Sequence, residues 1–306
     1  AITNVACHGA TTGEIDLTVT GGTTSYTYSW TNDNGVGGVI STSEDPGNLA
    51  AGDYTCVVTD ANSCTATETS VSVTQPAAAL ATSTAAVGAI TNVDCNGNST
   101  GSINLTVSGG TIGGGYTYSW TNDNGVGGVI STLEDPGNLA AGDYTCVVTD
   151  ANSCTATESA VTVSQPAVLA SSSVATAVDC RGNSTGSIDL TVTGGTTAYG
   201  YSWENDANAG IEISTSEDPG NLAAGDYTCV VTDANGCTVT ESAVSVTQPA
   251  AVLATSTAAQ GAITNVNCKG GNDGSINLTV TGGTTSYSYS WTNDLDANTI
   301  VSTSED

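Results

Sequence analysis

The 306-residue chain has no phenylalanine, no methionine, one histidine and only two lysine or arginine residues. It has 30 aspartate and glutamate residues, which give a formal net charge of -28. So acidic a surface repels phosphate groups and attracts cations, and we expect no nucleic-acid partner. The chain also has no run of about 18 apolar residues, so the sequence predicts no transmembrane helix and no membrane insertion.

Catalytic chemistry also lacks its usual residues. Clustered zinc or copper ligands and a Ser-His-Asp triad both require histidine, and His8 is the only one in the chain. The sequence therefore predicts a protein that is not an enzyme and that has no cofactor, calcium excepted. Because neither an initiator methionine nor a signal peptide is present, we interpret the start of the sequence as a cut.

Ten cysteines at regular positions are typical of an oxidising compartment, which indicates a secreted or cell-surface protein. The alternative to a set of disulfide bonds is that these cysteines are buried free thiols.

Internal repetition is the main feature of the sequence. Residues 26–68 and 116–158 are identical except that Ser43 becomes Leu133. The first cysteines of the copies, Cys7, Cys95, Cys180 and Cys268, are 88, 85 and 88 residues apart, a period that fits a small independent domain. We expect β-sandwich repeats at 1–76, 77–166 and 167–249, and a partial repeat at 250–306. The apolar junctions, such as 77–84, predict an edge strand and stiff connections.

Short alternating segments fill each copy and predict β-strands. Residues 14–20 alternate apolar and polar side chains before a Gly-Gly turn, and residues 26–30 place two tyrosines and Trp30 on one face. Six or seven such strands in under 90 residues indicate tandem immunoglobulin-like antiparallel β-sandwiches, an all-β fold with almost no helix.

Each full copy has three cysteines, so one thiol is left over. The first and third lie in turn-like surroundings, whereas the second faces the core with its strand neighbours. The sequence predicts the disulfides Cys7–Cys64, Cys95–Cys154 and Cys180–Cys237, with free buried thiols at Cys56, Cys146 and Cys229. An immunoglobulin-like bond, Cys7–Cys56, is the alternative.

The fourth copy ends before its two later cysteines, so Cys268 has no equivalent partner in the sequence. A half-sandwich leaves its apolar face open to water. We expect either that the chain is a section of a continuous fibre or that a neighbouring chain supplies the missing strands.

The third copy shows the full set of motifs: Cys-x-Gly, Thr-Gly-Ser-Ile-Asp-Leu-Thr-Val-Thr-Gly-Gly-Thr (185–196), Tyr-Ser-Trp, Asn-Leu-Ala-Ala-Gly-Asp-Tyr-Thr (221–228), Val-Thr-Asp-Ala-Asn-Gly-Cys (231–237) and Val-Thr-Gln-Pro (246–249). This set resembles the SprB-type repeat of gliding-motility and surface adhesins in the Bacteroidetes, and the resemblance spans the whole chain. It implies export, commonly by the type IX system, a cell-surface or fibre location, and no catalytic residue. The core cysteine, Cys56 in the first copy, departs from the aliphatic residue more usual in that family.

Three sets of polar residues are candidate sites. Turn oxygens of Asx residues are candidate calcium ligands, although such residues favour turns in any case. His8, Asn96, Arg181 and Lys269 share one position, which we interpret as an exposed loop residue. Four Asn-x-Ser/Thr sequences predict N-linked glycosylation. The candidate calcium ligands are Asp60, Asn62, Asp150, Asn152, Asp233 and Asn235, and the candidate glycosylation sites are Asn98, Asn104, Asn183 and Asn277.

Two functions fit these features. In the first, the repeats form an extracellular stalk or fibre segment of a bacterial surface adhesin, associating with neighbouring repeats or copies in a filament. In the second, the repeats themselves bind a surface glycan or another partner. Recognition sites require exposed aromatic residues, whereas here the aromatic residues occupy core-facing positions, so the sequence favours the stalk.

Overall fold

The computed structural model describes residues 1–258 and 261–306. It divides into two compact units, Ala1–Gln165 and Pro166–Asp306, and each unit contains two of the sequence repeats. The described residues are almost entirely strand, turn and loop, with one 3-10 turn at Asp206–Asn208. No helix in this part of the chain has the length and apolar character that crossing a bilayer requires.

The first unit holds the first and second repeats. The strands of the first repeat are β1 (Ile2–Thr3), β2 (Glu14–Ile15), β3 (Thr27–Asn32), β4 (Val36–Ser41), β5 (Gly52–Thr59) and β6 (Thr65–Val73). Those of the second are β7 (Ala81–Ser83), β8 (Ile90–Thr91), β9 (Ser102–Ile103), β10 (Thr106–Ser108), β11 (Thr117–Asn122), β12 (Val126–Ser131), β13 (Gly142–Thr149) and β14 (Thr155–Val163).

The second unit holds the third and fourth repeats. The strands of the third are β15 (Ala170–Thr176), β16 (Ser187–Thr193), β17 (Gly200–Asn205), β18 (Glu212–Ser214), β19 (Gly225–Thr232) and β20 (Thr238–Val246). Those of the fourth are β21 (Ala254–Ser256), β22 (Ile263–Thr264), β23 (Ser275–Ile276), β24 (Thr279–Thr281), β25 (Trp291–Asn293) and β26 (Asp296–Ser302).

Each of the first three repeats has the same two layers. One layer is a four-stranded antiparallel sheet, ordered β4-β3-β5-β6 in the first repeat, β12-β11-β13-β14 in the second and β18-β17-β19-β20 in the third. The other layer consists of short antiparallel pairs, such as β10 with β7 and β15 with β16. An isolated bridge, for example between Gly13 and Leu49, connects the segment before β2 to the loop before β5.

The core of each complete repeat is built around one tryptophan. Trp30 on β3 lies directly opposite Cys56 on β5, and neither is exposed to solvent. Tyr54, two residues before this cysteine, donates its hydroxyl to Ala50 O at 2.8 Å, which is the tyrosine corner of immunoglobulin-like sandwiches. The second and third repeats contain the same arrangement. The predicted all-β, immunoglobulin-like fold is confirmed.

The junctions between repeats form strands, as predicted. In the third repeat the junction strand β15 pairs with the whole of β16. In the first repeat, only Glu14–Ile15 of the segment predicted at 14–20 is strand, and it pairs with β1. A β-strand requires a hydrogen-bonding neighbour, so the alternating sequence forms a long strand beside the seven residues of β15 and a short one beside the two residues of β1.

In the fourth repeat, the described sheets have two strands each. Val266 is 48% exposed and Ile276 is 41% exposed, whereas the equivalent Val5 and Ile15 are 2% and 3% exposed. What covers this apolar face stays a prediction.

Removal of the core indole should destabilise one repeat at a time. We expect Trp203→Ala to lower the free energy of unfolding of the third repeat by about 3–5 kcal/mol, because the indole is fully buried. Hydrogen exchange measured by mass spectrometry should show faster exchange in peptides from residues 187–246. The control, Ile213→Ala, removes a side chain that is 44% exposed. Equal exchange rates in the two variants would contradict this account of the core.

Candidate functional site

Every complete repeat has two chemically distinct ends, which we name from the second repeat. Its leading end contains the Gly109-Gly110 turn and the turn at 150–154. The junction from the first repeat contacts this end at Gly110. Its trailing end contains the Cys95-Asn96-Gly97 loop and Gln165. The two ends lie at opposite ends of strand β14, which runs from Thr155 to Val163.

The leading end is organised by an aspartate. In the second repeat, Asp150 accepts hydrogen bonds from the backbone N–H groups of Thr111, Asn152 and Cys154 at 2.8–2.9 Å. Desolvation opposes ionisation of this buried carboxyl, but the three N–H donors outweigh it and hold its pKa below the usual value. Asp60 and Asp233 make the equivalent bonds in their own repeats.

These bonds give the candidate calcium ligands a structural role. Both carboxylate oxygens of Asp60, Asp150 and Asp233 accept backbone N–H groups, and Asn62, Asn152 and Asn235 donate to a threonine hydroxyl. Within the described residues, no group of three or more histidine, cysteine, aspartate or glutamate side chains has the arrangement of a metal site. Calcium binding at these turns stays a prediction.

The junction packs tightly onto the leading end. Gly110 N donates to Ala78 O at 3.0 Å, and a Cβ added to Gly109 would lie 1.9 Å from Ala79 O. Farther along the junction, Thr82 and Thr84 both donate to the Glu158 carboxylate. The Gly-Gly sequence is therefore required by the close approach of the junction, which is bonded along its length to the second repeat.

The trailing end is organised by a glutamine and a glycine. Gly9 N donates to Gln75 Oε1 at 2.7 Å, and its positive φ of 79° suits a residue without a side chain. The second and third repeats have the same bond, from Gly97 to Gln165 and from Gly182 to Gln248. The Cys-x-Gly loop is thus held next to the Gln-Pro segment where the chain leaves the repeat.

The variable position beside the first cysteine has a more specific role than that of an exposed loop residue. His8 Nδ1 lies 2.9 Å from Pro76 O, and Arg181 Nη1 donates to Ala250 O at 2.7 Å. Both side chains contact backbone carbonyls at the start of a junction. The two residues therefore cap the point where the chain leaves their repeats.

A disulfide joins the trailing end of the first repeat to the leading end of the second. Cys7 is bonded to Cys154, with a Cα–Cα distance of 5.7 Å and a sequence separation of 147 residues. Beside it, Asn152 Nδ2 donates to Ala6 O at 3.0 Å. The bond spans the Pro76–Leu80 junction, so the two repeats are connected both by the polypeptide and by the disulfide.

The predicted pairing within each repeat is wrong for Cys7–Cys64 and for Cys95–Cys154, because Cys154 is bonded to Cys7. Cys7 is held at the trailing end, whereas Cys64 precedes Thr65 at the far end of β6. A strand from Thr65 to Val73 spans about 26 Å, far more than the roughly 7 Å that a disulfide permits between Cα atoms.

The third predicted bond, Cys180–Cys237, is also wrong. Cys180 is a free, exposed thiol, while Cys237 is disulfide-bonded, as is Cys95. The same separation of the two ends applies in the third repeat, where strand β20 begins just after Cys237 and Gln248 lies beyond its far end. The alternative pair, Cys7–Cys56, is not formed either, since Cys56 is a buried free thiol.

The structure places Cys56, Cys146 and Cys229 in the cores as buried free thiols, where the sequence predicts them. Burial raises the pKa of the Cys146 and Cys229 thiols to about 11 and raises that of Cys56 in the same direction. A thiol without exposure or thiolate character is unreactive. These cysteines act as small apolar side chains beneath the tryptophans.

The four predicted glycosylation sites, Asn98, Asn104, Asn183 and Asn277, are exposed. Asn98 and Asn183 each donate their amide to a neighbouring aspartate, Asp94 and Asp179. Glycosylation stays a prediction.

Comparison with known protein families shows what the repeated unit is similar to. A sequence model of the SprB repeat matches residues 1–35, 87–125, 172–208 and 261–295, once in each of the four copies, which confirms the resemblance. No curated protein sequence matches the chain.

Three of the solved structures that match this chain are similar to it at low sequence identity. Domains 3–5 of Drosophila OTK are 13% identical, with 73% of this chain and 85% of that chain covered and a TM-score of 0.28. A structure described as the basis for Dscam isoform specificity is 14% identical, with 72% and 65% covered and a TM-score of 0.25. The eight N-terminal Ig domains of DSCAM are 16% identical, with 79% and 35% covered and a TM-score of 0.27.

Thiol labelling should separate the two kinds of free cysteine. With iodoacetamide at pH 8 and without reductant, we expect three alkylated residues in the folded chain, Cys64, Cys180 and Cys268, because these are the exposed free thiols. Unfolding in denaturant should add Cys56, Cys146 and Cys229, which peptide mass spectrometry would identify. Alkylation of Cys146 in the folded chain as fast as that of Cys64 would contradict the burial described above.

We expect the leading-end aspartate to make the folding stability of its repeat depend on pH. Burial opposes ionisation of Asp233, but the backbone hydrogen bonds outweigh it and hold its pKa below the value in the unfolded chain. The ionised carboxylate therefore contributes to folding stability above the unfolded pKa, and this contribution is lost as pH falls through the folded pKa. We expect Asp233→Asn to lower the melting temperature at pH 7 and to show a smaller further loss on acidification than the parent chain. Calorimetry would measure both.

The matched control is Asp189→Asn, which replaces an exposed aspartate on β16 of the same repeat. This control should melt like the parent chain at pH 7. Identical melting of the two variants at pH 7 would show that the turn does not depend on the Asp233 carboxylate.

Proposed function

Because this chain carries SprB repeats at four places, we propose that it is a structural stalk segment of an extracellular surface adhesin. In this function, the repeats transmit length and tension between a cell surface and a binding region elsewhere in the full protein. The observation that carries the proposal is the Cys7–Cys154 bond between successive repeats.

The disulfide connects the two repeats at the points where force would pass. In a chain with only a peptide junction, each sandwich would bend about that junction and unfold under load. Here the trailing end of one repeat is bonded directly to the leading end of the next. A loop of 147 residues closed by a disulfide also stabilises the folded state by about 5 kcal/mol in the chain-entropy estimate.

Noncovalent contacts stiffen the same connection. The junction donates from Thr82 and Thr84 to Glu158 and accepts at Ala78 O from Gly110 N. These bonds fix its path onto the leading end of the second repeat. A stalk requires a fixed connection of this kind, whereas a flexible Gly/Ser linker would let its modules reorient.

Charge favours a linear array over a bundle. The net charge of -28 is distributed over repeats with few compensating cations, so neighbouring stalks repel each other at low ionic strength. Repulsion of this kind keeps long surface appendages apart and soluble. It also supports an extracellular location, where divalent cations would moderate the repulsion.

The alternative, in which the repeats themselves bind a glycan, has less support. Glycan sites commonly present aromatic rings to solvent, yet Trp30, Trp120 and Trp203 are each 0% exposed. Catalysis has no support either, since the aspartates at the leading ends already accept backbone N–H groups. Both observations leave the spacer as the function that the geometry supports best.

Force spectroscopy tests the proposal directly. When the chain is pulled from its two ends, the Cys7–Cys154 bond should keep the residues between them from extending. We expect Cys7→Ser, or added reductant, to increase the extended length by about 500 Å, the contour length of roughly 147 residues. Single-molecule atomic force microscopy would measure this gain.

Cys64→Ser is the matched control, since it removes an exposed free thiol from the same unit and should leave the extended length unchanged. If the parent chain already extends over residues 8–153 under oxidising conditions, the repeats are not joined covalently and the stalk proposal loses its main support.

A further inference from the structure

We infer that the core thiol of Cys146 is the nucleophile of a disulfide exchange that is built into the second repeat. When this repeat opens, the Cys146 sulfur displaces Cys7 from the Cys7–Cys154 bond and forms Cys146–Cys154 instead. The exchange releases the first repeat from the second without breaking the polypeptide. This inference goes beyond the proposed stalk function, but it rests on the disulfide that carries that function.

The sequence places the attacking thiol close to its target. Cys146 stands eight residues before Cys154, and Cys229 stands equally far before Cys237. In a flexible chain, the probability of closing a loop falls roughly as the 3/2 power of its length. In an opened chain, the eight-residue loop of Cys146–Cys154 is therefore favoured about 80-fold over the 147-residue loop of Cys7–Cys154.

The fold keeps the same two sulfur atoms apart. Cys146 on β13 pairs with Glu158 on β14, and three further residue pairs, ending with Thr149 and Thr155, separate it from the turn that holds Cys154. At about 3.3 Å per residue, the two Cα atoms lie about 13 Å apart along the strands, whereas a disulfide permits roughly 7 Å. The exchange therefore cannot take place while the hairpin of β13 and β14 is intact.

The core also suppresses the reactivity of the thiol. Cys146 is 0% exposed. Burial, together with the Glu158 carboxylate opposite it, raises the pKa of the Cys146 thiol to about 11. The thiolate is the attacking species in disulfide exchange, so the folded repeat holds this group in its unreactive form. Opening removes both effects and raises the thiolate fraction at pH 8 on the order of 100-fold.

Load reaches this core through one strand. Strand β14 begins at Thr155, directly after Cys154, and it lies at the edge of the four-stranded sheet with β13 as its neighbour. Tension that crosses the disulfide therefore enters the second repeat at β14. Displacement of β14 removes the hydrogen-bonding partner of β13 and opens the sheet beside Cys146. The loaded strand is thus the one that helps to hold the thiol in the core.

The exchange is balanced without an added oxidant or reductant. Cys146 loses its proton to solvent, and its thiolate attacks Cys154 Sγ. As the Cys146–Cys154 bond forms, the Cys7–Cys154 bond breaks, and Cys7 leaves as a thiolate that takes up a proton. One disulfide and one thiol are present before and after the reaction. It is therefore reversible, and refolding, which returns Cys146 to the core, favours the original bond.

The third repeat provides a second case of the same arrangement. Cys237 is disulfide-bonded, and Cys229 is a buried free thiol. Burial, with the Glu241 carboxylate opposite, raises the pKa of the Cys229 thiol to about 11. We therefore expect opening of the third repeat to give a Cys229–Cys237 bond.

Disulfide mapping of the purified, full chain tests this inference. The oxidised chain is incubated at pH 8 without redox reagents, either folded or unfolded in guanidinium. It is then quenched with acid, blocked with N-ethylmaleimide and digested without reduction. We expect Cys7–Cys154 in the folded chain. In the unfolded chain, Cys146–Cys154 should replace it and exceed Cys154–Cys180, the next shortest loop at 26 residues, about six-fold.

Two substitutions test which thiol attacks. Cys146→Ala should slow the loss of the Cys7–Cys154 bond in guanidinium about three-fold, because the remaining thiols must close longer loops. The matched control is Cys180→Ala, which removes the next nearest thiol and should slow that loss by less than about a third.

Two further substitutions test whether the core controls the exchange. Without denaturant, Trp120→Ala should speed formation of Cys146–Cys154 on the order of 100-fold, because loss of the buried indole raises the population of opened second repeats. Trp203→Ala, the same change in the third repeat, should leave the Cys7–Cys154 bond unchanged.

Either of two results would overturn the inference: Cys146–Cys154 no more abundant than Cys154–Cys180 in guanidinium, or exchange as fast in the folded parent chain as in the unfolded one. The map of the folded chain separates this inference from the proposed function. If Cys7–Cys154 is present there and no exchange follows unfolding, the stalk proposal stands and only the exchange fails. If Cys7–Cys154 is absent from the folded chain, the proposed function fails as well.

Discussion

The structure of each complete repeat depends on the cross-strand pair formed by a tryptophan and a core cysteine. In a chain without phenylalanine or methionine, the fully buried indole is the largest side chain of each core, and the residue opposite it is a small cysteine. The tyrosine corner then fixes the loop that leads into the strand of that cysteine. Because these contacts lie entirely within a repeat, its two ends are free to specialise in joining neighbours.

Much of this organisation could be predicted from the sequence, because it follows from local patterns. Alternation at 14–20, the core-facing Trp30 and the Gly-Asp-Tyr-x-Cys segment indicate the sandwich and its core, and the position of Cys56 on a strand face predicts a buried thiol. The apolar junctions predict their strands. Even the Gly-Gly turn, whose close approach to the junction requires glycine, is visible as a recurring pair in the sequence.

The disulfide connectivity could not be predicted, since the sequence does not give distances between elements. Cys7 and Cys64 both lie in turn-like surroundings, which makes them look like partners. In the fold, Cys64 lies at the start of strand β6 and Cys7 lies near its far end. The bonding partner of Cys7 belongs to a different repeat. A sequence signal was available: when one strand separates the third cysteine from the Gln-Pro motif, bonding between repeats should be considered.

The closed loop between Cys7 and Cys154 also changes what a protease could accomplish. A cut at any peptide bond between these two residues opens the loop but leaves both fragments attached through the sulfur atoms, so the two repeats do not separate. Surface proteins meet proteases made by competitors and hosts. An array closed in this way tolerates breaks in the backbone of the loop, and its two outer fragments separate there only when the disulfide is reduced.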